Sequence, residues 1–344
     1  MLRYFGWAYG LTGLGLLLAF WLGWSFSGTL SGALSFLMIG AILAILEISL
    51  SFDNAIVNAN KLKDMEPVWR QRFLTWGILI AVFGMRIVFP LLIVVVAAGL
   101  GPIEAIRLAA TKPAEYAEII RGAHLSIAAF GGAFLMMVAL SYFIDDGKEV
   151  DWISGCERAL RRCGSVRGAE IALVLALMAI FSTVLPESSQ DEFLFAGVTG
   201  LLAFLGVDML GHLLDRPGAA GAVAKGGFGA FMYLEVLDAS FSFDGVIGAF
   251  ALTQNLFLIA IGLGIGALYV RSMTIMLVEK QTLAEFRYLE HGAFWSILVL
   301  SVIMFAQTLV HIPELVTGLL GATFIGLAMI SSLRHRRLER EAAE

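Results

Sequence analysis

Two similar acidic motifs, each inside an apolar segment, decide how this chain folds: EISLSFDNAI at residues 47–56 and DASFSFDGVI at residues 238–247. The two copies stand 191 residues apart, and in each an acid is followed by the pattern Ser-x-Ser-Phe-Asp. Chance similarity between two apolar segments would not place two acids and two serines in register. The chain therefore contains an internal repeat, a feature that determines the architecture of a protein before any local pattern does.

The similarity continues beyond the motifs. Gly84-Met-Arg86 aligns with Tyr269-Val-Arg271, and AEY at residues 114–116 aligns with AEF at 284–286, before a further apolar segment in each half. Helices one to five then correspond to helices six to ten. Because five is odd, the two motif helices run in opposite directions through the membrane. Such inverted repeats are typical of transporters, whose binding site lies at the midplane where broken helices of the two repeats meet.

The composition is that of a membrane protein. Of the 344 residues 59% are hydrophobic and 15% are charged, and the mean hydropathy is +0.86, whereas soluble domains have about 45–50% apolar and about 25% charged residues. One span takes about 20 apolar residues, so we predict an all-α polytopic protein of about ten transmembrane helices in two inverted five-helix repeats. The predicted spans are residues 5–25, 30–59, 73–99, 124–144, 169–186, 193–214, 227–253, 256–278, 291–310 and 313–333.

The predicted domains follow the repeat. Residues 1–168 hold helices one to four and a cytoplasmic loop at 145–168, residues 169–190 hold the fifth helix, and residues 191–344 hold the second repeat with a short basic tail. Most lysines and arginines fall in alternate loops, and the opposite loops hold only Arg107, Lys112 and Arg121. This bias predicts that both termini are cytoplasmic, and we expect a bacterial inner membrane.

Acidic side chains inside the predicted spans are the main candidates for function, since each ionised one costs about 3 kcal/mol at a helix centre. They are Glu47, Asp53, Asp208, Glu235, Asp238 and Asp244. The two arginines of the repeat, Arg86 and Arg271, can neutralise at most two of them, which leaves negative charge for a cation or for protons. Each arginine either balances the charge of an acid or acts as a counter-ion that exchanges with the metal during transport. The alternative is that some of these acids are protonated or hydrogen-bonded and have only a structural role.

The spacing of the acids indicates a break in the motif helix. Six residues of α-helix turn about 600°, so the side chains of Glu47 and Asp53 would point about 120° apart on a continuous helix. To converge on one ion, the helix must bend or unwind at its Ser-x-Ser segment, where backbone groups would become ligands. The serines of the two copies are Ser49, Ser51, Ser240 and Ser242. A plain helix with two separate polar contacts is the alternative.

The available donors are hard oxygen atoms, namely carboxylates, hydroxyls, carbonyls and the Asn54 amide. Such sites suit Mn²⁺, Ca²⁺ and Mg²⁺, with the metal as substrate. The chain has two cysteines, Cys156 and Cys163, and neither lies in a predicted span. There is no phosphate loop for ATP, no dense basic patch for nucleic acid, and no Ser-His or metalloprotease set. We therefore do not expect an enzyme.

At these motifs the sequence resembles the TerC family of integral membrane proteins, and most closely its DUF475 branch. The stretch EISLSFDN at residues 47–54 looks like the TerC signature E-x-x-L-S-x-D-N, and the branch is similar over nearly the whole chain, including FGG at 130–132 and YLEHGA at 288–293. The resemblance implies export of divalent metal, mainly Mn²⁺, and an association with tellurite resistance. It implies a metal site of Glu47, Asp53, Asn54, Asp238 and Asp244. Better-known members carry an Asp-Ser-x-Pro type second motif, which this chain lacks.

Three functions follow from these observations. The first is a secondary transporter that exports a divalent cation by alternating access around a midplane carboxylate site, to which Glu235 would also contribute, with protons as a plausible coupling ion. The second is a membrane-embedded enzyme, since paired intramembrane acids can perform catalysis. The third is a non-transporting membrane subunit of a metal or tellurite stress-response complex. A homodimer in the lipid bilayer is compatible with each of them.

Overall fold

The described part of the chain is predominantly helical. The computed structural model describes residues 2–63, 65–145, 148, 150–164, 166, 168–214, 227–280, 286–310 and 312–343, and these contain no strand. The helices are α1 (Leu2–Ser27), α2 (Leu30–Leu50), α3 (Phe52–Lys63), α4 (Pro67–Leu79), a π-helix (Ile80–Val88), α5 (Phe89–Ala98), α6 (Pro102–Thr111), α7 (Pro113–Gly122), α8 (His124–Ile144), α9 (Ser154–Cys163), α10 (Ala169–Val184), α11 (Glu187–Leu214), α12 (Phe228–Leu252), α13 (Leu256–Glu279), α14 (Leu289–Gln307) and α15 (Glu314–Ala343). The predicted all-α class is confirmed.

Seven helices of the described chain are long and apolar enough to cross a membrane: α1, α2, α8, α11, α13, α14 and α15. The segments Pro67–Gly77 and Ile80–Val96 form a pair bent by 45°, which makes eight if the pair is one span. The predicted count of ten is not confirmed, because α10 has only 16 residues and α12 carries three acidic residues, Glu235, Asp238 and Asp244. The coarser prediction of a helical protein with several membrane-length helices holds.

The first motif helix is interrupted, and the second is not. Helix α2 ends at Leu50, Ser51 adopts φ −101° and ψ 18°, and α3 begins at Phe52. In the second copy, α12 continues without a break through Asp238 and Gly245. The first copy therefore has an interruption within its Ser-x-Ser segment, while the second copy follows the plain-helix alternative.

One compact unit of the fold consists of Met1–Ser51, Pro67–His124 and Asp238–Met276. Within it α1 packs along α2, and α5 packs on α6 and α7. Its core contains Tyr116 and Phe250, whose ring centroids are 6.0 Å apart. Where such helices lie in a bilayer, close van der Waals packing of these side chains, rather than their removal from water, favours the association of the helices.

The other compact unit consists of Phe52–Glu66, Leu125–Leu237 and Leu277–Glu344. Here α3 packs on α14 and α15, α14 packs along α15, and α10 packs on α11. Helices α14 and α15 approach closely at Gly292, where an added Cβ would lie 2.6 Å from the Ala328 Cβ. Each unit thus combines segments from both predicted repeats, rather than containing one repeat alone.

Candidate functional site

Glu47 lies in the last turn of α2, in the first unit, and is only 2% exposed. Its Oε1 accepts hydrogen bonds from Arg86 Nη2 and, at 3.2 Å, from Ser51 Oγ. Two glycines of the second repeat lie against the same side chain. A Cβ at Gly245 would be 2.9 Å from Glu47 Oε2, and one at Gly266 would be 2.4 Å from the Glu47 Cβ and Cγ. The lack of side chains there lets α12 and α13 contact Glu47 directly.

Arg86 is held by an unusual backbone segment. It lies in the π-helix Ile80–Val88, is 5% exposed, and donates from Nη1 to the carbonyl oxygen of Ala81 at 2.6 Å. Segments of π-helix are rare and are frequent at functional sites. The guanidinium is therefore fixed between a backbone carbonyl of its own helix and the carboxylate of Glu47. Removing one partner of such a buried ion pair strongly destabilises the fold, because it leaves the other charge uncompensated.

The second copy of the motif has a looser version of this pair, also in the first unit. Arg271 Nη2 lies 3.7 Å from Asp238 Oδ2, and the residues are 5% and 6% exposed. That distance is too long for a hydrogen bond, so the contact is an ion pair only. The Arg271 Cζ also lies 3.8 Å from the ring centroid of Phe73, a cation–π contact. Each repeat therefore places an arginine beside the first acid of its motif.

Asp53 lies on the other side of the break at Ser51, in α3 of the second unit, and is 5% exposed. Its Oδ2 accepts a hydrogen bond from Ser296 Oγ at 2.8 Å, and its Oδ1 accepts one from the backbone N–H of Asn54 at 2.8 Å. Within the described residues, the hydrogen bonds to this carboxylate come from neutral donors. Its surroundings thus differ in charge from those of the two acids that face arginines.

The surroundings of Asp53 contain further oxygen donors. The side-chain Oδ1 of Asn54 is buried and has no hydrogen-bond partner in the part of the chain that the structure describes. Such an atom normally finds a partner, because leaving it without one costs about 1–3 kcal/mol. Gly321 leaves space beside the cluster, since a Cβ there would lie 2.8 Å from Ser296 Oγ and 3.6 Å from Asp53 Oδ2. Carboxylate, amide and hydroxyl oxygens are the donors that hard divalent cations prefer.

The remaining predicted residues have varied surroundings. Ser49 is exposed and its hydroxyl donates to the carbonyl of Ile45 at 2.8 Å, so it is not directed at the acids. Ser240 and Glu235 are buried. Asp208 is exposed and lines an open pocket of about 1050 Å³ in the second unit. Other polar residues of that pocket are Lys61, Ser141, Asp145, Glu170 and Tyr233.

The predicted site residues divide between the two units. The first unit holds Glu47, Ser49, Ser51, Arg86, Asp238, Ser240 and Arg271, and the second holds Asp53, Asn54, Asp208 and Glu235. The side chains of Ser242 and Asp244 lie outside the description. Among the residues that are described, no group of three or more His, Cys, Asp or Glu side chains is placed to hold a metal ion. The described polar groups nearest to Asp53 are thus neutral oxygens, those of Asn54 and Ser296.

Glu157, to which no sequence pattern assigned a role, is completely buried at 0% exposure. Lys148 Nζ donates to Oε2 at 2.6 Å, Trp295 Nε1 donates to Oε1 at 3.0 Å, and the backbone N–H of Ile153 donates to Oε1 at 3.1 Å. His291 Nδ1 lies 2.9 Å from Oε2. We call these five residues the Glu157 cluster.

The cluster determines the charge of its carboxylate. Burial by itself raises the pKa of Glu157, but the hydrogen bonds from His291, Lys148 and Trp295 lower it further than burial raises it. The net pKa is well below the ordinary range of a glutamate, so the side chain is ionised at neutral pH. No local pattern could have revealed this contact, because Glu157 and His291 are 134 positions apart. The same is true of Ser296 and Asp53, which are 243 positions apart.

Comparison with known proteins places the chain in one family. The profile of the family described as "Protein of unknown function (DUF475)" matches residues 52–339, and the chain belongs to that family. This confirms the DUF475 resemblance seen in the motifs. No curated protein and no solved structure gives a significant match to the chain.

Proposed function

We propose that this DUF475 protein is a secondary transporter that exports a divalent metal cation, with Mn²⁺ as the first candidate and Ca²⁺ or Mg²⁺ as alternatives. One observation carries the proposal, namely the difference among the buried acids. Glu47 and Asp238 each face an arginine, whereas Asp53 accepts hydrogen bonds from neutral donors beside the unsatisfied oxygen of Asn54. A cation would complete this oxygen-rich set.

The donor chemistry supports a hard cation as the substrate. Mn²⁺ and Mg²⁺ retain several waters when they bind to proteins, so one carboxylate with an amide and a hydroxyl can suffice for a transient site. A transport site must also release its ion, which a complete cage of carboxylates would hinder. Asp53, Asn54 and Ser296 provide such a set within one unit.

The architecture we propose is the inverted repeat, with ten spans, cytoplasmic termini and alternating access in a bacterial inner membrane. One contact supports this architecture, since Ser296, in the second predicted repeat, donates a hydrogen bond to Asp53 of the first. The resemblance of the motifs to TerC supports divalent metal, and Mn²⁺ in particular. Arg86 and Arg271 would balance the charge of their acids while Asp53 exchanges the ion for a proton.

The test is metal flux into proteoliposomes loaded with an indicator, with Mn²⁺, Ca²⁺, Mg²⁺ and Zn²⁺ offered in turn. We compare wild type with Asp53→Asn, with Asp244→Asn at the equivalent position of the second repeat, and with the matched control Asp191→Asn, whose side chain is exposed on α11. We expect flux of Mn²⁺ in wild type and in the control. Asp53→Asn should abolish it, because an amide cannot replace a carboxylate as an anionic ligand.

Other outcomes favour the other functions. If folded wild-type protein moves none of the four ions, the chain is better described as a non-transporting membrane subunit of a stress-response complex. In that case Asp53→Asn would leave cellular metal levels unchanged. If Asp53→Asn instead abolishes turnover of a lipid or peptide while flux is absent, the membrane-enzyme alternative replaces the transporter.

A further inference from the structure

The Glu157 cluster connects a loop helix to one of the membrane-length helices. Helix α9 is short and polar, and Glu157 is its buried residue. Its carboxylate accepts hydrogen bonds from Lys148, from the backbone N–H groups of Trp152 and Ile153, and from two side chains of α14. All of these residues belong to the second unit. The contact therefore attaches the loop between α8 and α10, which we predict to be cytoplasmic, to the first turns of α14.

Aromatic packing supports the same attachment. The rings of Tyr142 at the end of α8 and Phe294 on α14 stack with centroids 3.8 Å apart and an interplanar angle of 5°. Lys148 Nζ lies 5.0 Å from the Tyr142 ring centroid and 4.8 Å from that of Phe143. The ammonium group of Lys148 thus contacts both the carboxylate of Glu157 and the rings of Tyr142 and Phe143. This places the loop in one defined position on α14.

Helix α14 also contacts Asp53, one position beyond its attachment to the loop. His291 and Trp295 are four positions apart, so they lie on one face of the helix. Ser296 follows directly and donates its hydroxyl hydrogen bond to Asp53. At 1.5 Å per residue, His291 and Ser296 are separated by about 7.5 Å along the axis. A shift or rotation of the first turns of α14 would therefore move Ser296 relative to the carboxylate that it contacts.

We propose that Glu157 is a positioning residue, which anchors α14 through His291 and Trp295 and thereby keeps the Ser296 hydroxyl on Asp53. The role of Asp53 in transport rests on the function proposed above, but the anchoring does not depend on it. A loop on one side of the membrane thus sets the geometry of a buried carboxylate inside the helices.

A carboxylate is suited to this task for a geometric reason. A buried charge is weak as a source of stability, because apolar residues of similar volume often stabilise the fold as well or better. It can, however, accept several hydrogen bonds in defined directions at once. Glu157 accepts five hydrogen bonds. The donors lie on Lys148 of the loop, on the two backbone N–H groups that precede α9, and on two side chains of α14. An apolar side chain could fill the space but could not orient α14.

The experiment measures how readily Asp53 reacts with a hydrophobic carbodiimide, a reagent for protonated carboxyl groups in apolar surroundings. Purified full-length protein in detergent is labelled, and modification of the Asp53 peptide is quantified by mass spectrometry. The variants are Glu157→Gln, the conservative Glu157→Asp, Ser296→Ala and the double variant Glu157→Gln/Ser296→Ala. The matched control is Asp151→Asn, because Asp151 pairs with Arg158 and Arg161 within the same loop.

We expect Glu157→Gln and Ser296→Ala each to increase the labelling rate of Asp53 by between about threefold and tenfold, the factor that one net hydrogen bond represents. The double variant should label no faster than Ser296→Ala alone, since Glu157 acts through Ser296. Glu157→Asp should restore part of the protection, and Asp151→Asn should match wild type. A general loosening of the fold would instead give additive effects and would appear in the control.

Three results would overturn the proposal: equal labelling in Glu157→Gln and wild type, additive labelling in the double variant, or no change in Ser296→Ala. Amide hydrogen exchange of the same samples provides an independent measurement, and it should accelerate in residues 289–296 of Glu157→Gln but not of Asp151→Asn. Neither measurement needs flux. A wild type that transports no metal would thus refute the proposed function while leaving this inference to be decided by the labelling.

Discussion

Glu47 and Asp53 belong to one motif and are both buried, yet their surroundings differ in charge. Glu47 accepts a hydrogen bond from Arg86, whereas Asp53 accepts its hydrogen bonds from Ser296 and from the amide of Asn54. The break at Ser51 separates them, since it ends α2 and assigns the two acids to different compact units. One acid of the motif is therefore compensated by a cation of the protein, whereas the other is held by neutral hydrogen-bond donors, which is why we propose that it is available to an external cation.

The second copy of the motif shows which of these features are shared by both copies and which belong to the first alone. Asp238 faces Arg271 as Glu47 faces Arg86, but α12 has no break and the pair is separated by 3.7 Å. The pairing of an acid with an arginine thus recurs at both copies of the motif. The interrupted helix, the π-helix and the direct hydrogen bond belong to the first copy, so the two copies have diverged in geometry while keeping the same charges.

The largest expected effect is the difference in stability between two single variants, each of which replaces one acid of the first motif by its amide. Glu47→Gln leaves Arg86 buried without its carboxylate, and we expect a loss of about 3–5 kcal/mol in the free energy of unfolding. Asp53→Asn removes a charge whose partners are neutral, and we expect a change within about 1 kcal/mol. Thermal unfolding in detergent, followed by tryptophan fluorescence, measures both.

The double variant Glu47→Gln/Arg86→Gln serves as the control, because it removes both charges and should recover much of the lost stability. Equal destabilisation by Glu47→Gln and Asp53→Asn would contradict the distinction between a compensated and an available acid.

A second, somewhat smaller effect concerns an acid outside the membrane helices. Glu157→Gln should cost about 3 kcal/mol at neutral pH, because it leaves Lys148 and His291 without their common carboxylate. The folded pKa of Glu157 lies below its ordinary value of about 4.3, so its contribution is fully present above that pH. The contribution is lost as the pH falls further, towards the folded pKa.

The melting temperatures of wild type and Glu157→Gln should therefore differ most at pH 7 and converge as the pH falls below about 4. Asp151→Asn, in the same loop, should show only a small difference from wild type at neutral pH. A gap between wild type and Glu157→Gln that widens on acidification would show that the carboxylate is not stabilised in its ionised form.

The next effect tests the close contact between the repeats at Glu47. Gly245→Ala would place a Cβ 2.9 Å from Glu47 Oε2, and we expect this crowding to cost about 1–3 kcal/mol. Gly13→Ala in α1 is the matched control, because nothing lies within 4 Å of a Cβ there, and alanine favours a helix over glycine by about 1 kcal/mol. Unfolding in detergent should separate the two variants. If Gly245→Ala is neutral, then the carboxylate of Glu47 is free to move.

The smallest effect distinguishes the second acid–arginine pair from the first. Phe73→Leu removes the ring on which Arg271 stacks, and we expect a loss of about 0.5–2 kcal/mol. Phe195→Leu, at a side chain that is 78% exposed, is the control for losing an aromatic ring. In an Arg271→Gln background, Phe73→Leu should cost less than in wild type. An unchanged cost there would assign the effect to apolar packing rather than to the cation.

Some of this organisation was accessible from residue types and spacing alone. Apolar composition predicted a helical membrane protein, and self-comparison placed the acids and arginines in register. Most predicted spans coincide with long helices of the described chain. The helix Ala169–Val184 is an exception, because it is shorter than the 18 residues that a membrane span needs. Helical geometry predicted a break between Glu47 and Asp53, and the structure interrupts the helix at Ser51, within the Ser-x-Ser segment. Convergence of the two acids on one ion stays a prediction.

What the sequence by itself determined is the helical class, the repeated acidic motif and the presence of charged residues within apolar segments, because these depend on composition and on local pattern. Only the tertiary structure decided which acid has an arginine, which has a serine, and that Glu157 is buried at all. Those contacts join residues 39 to 243 positions apart. Hydrogen-bond partners at such separations are set by how helices pack, and packing depends on the shapes of all neighbouring side chains together rather than on any local pattern.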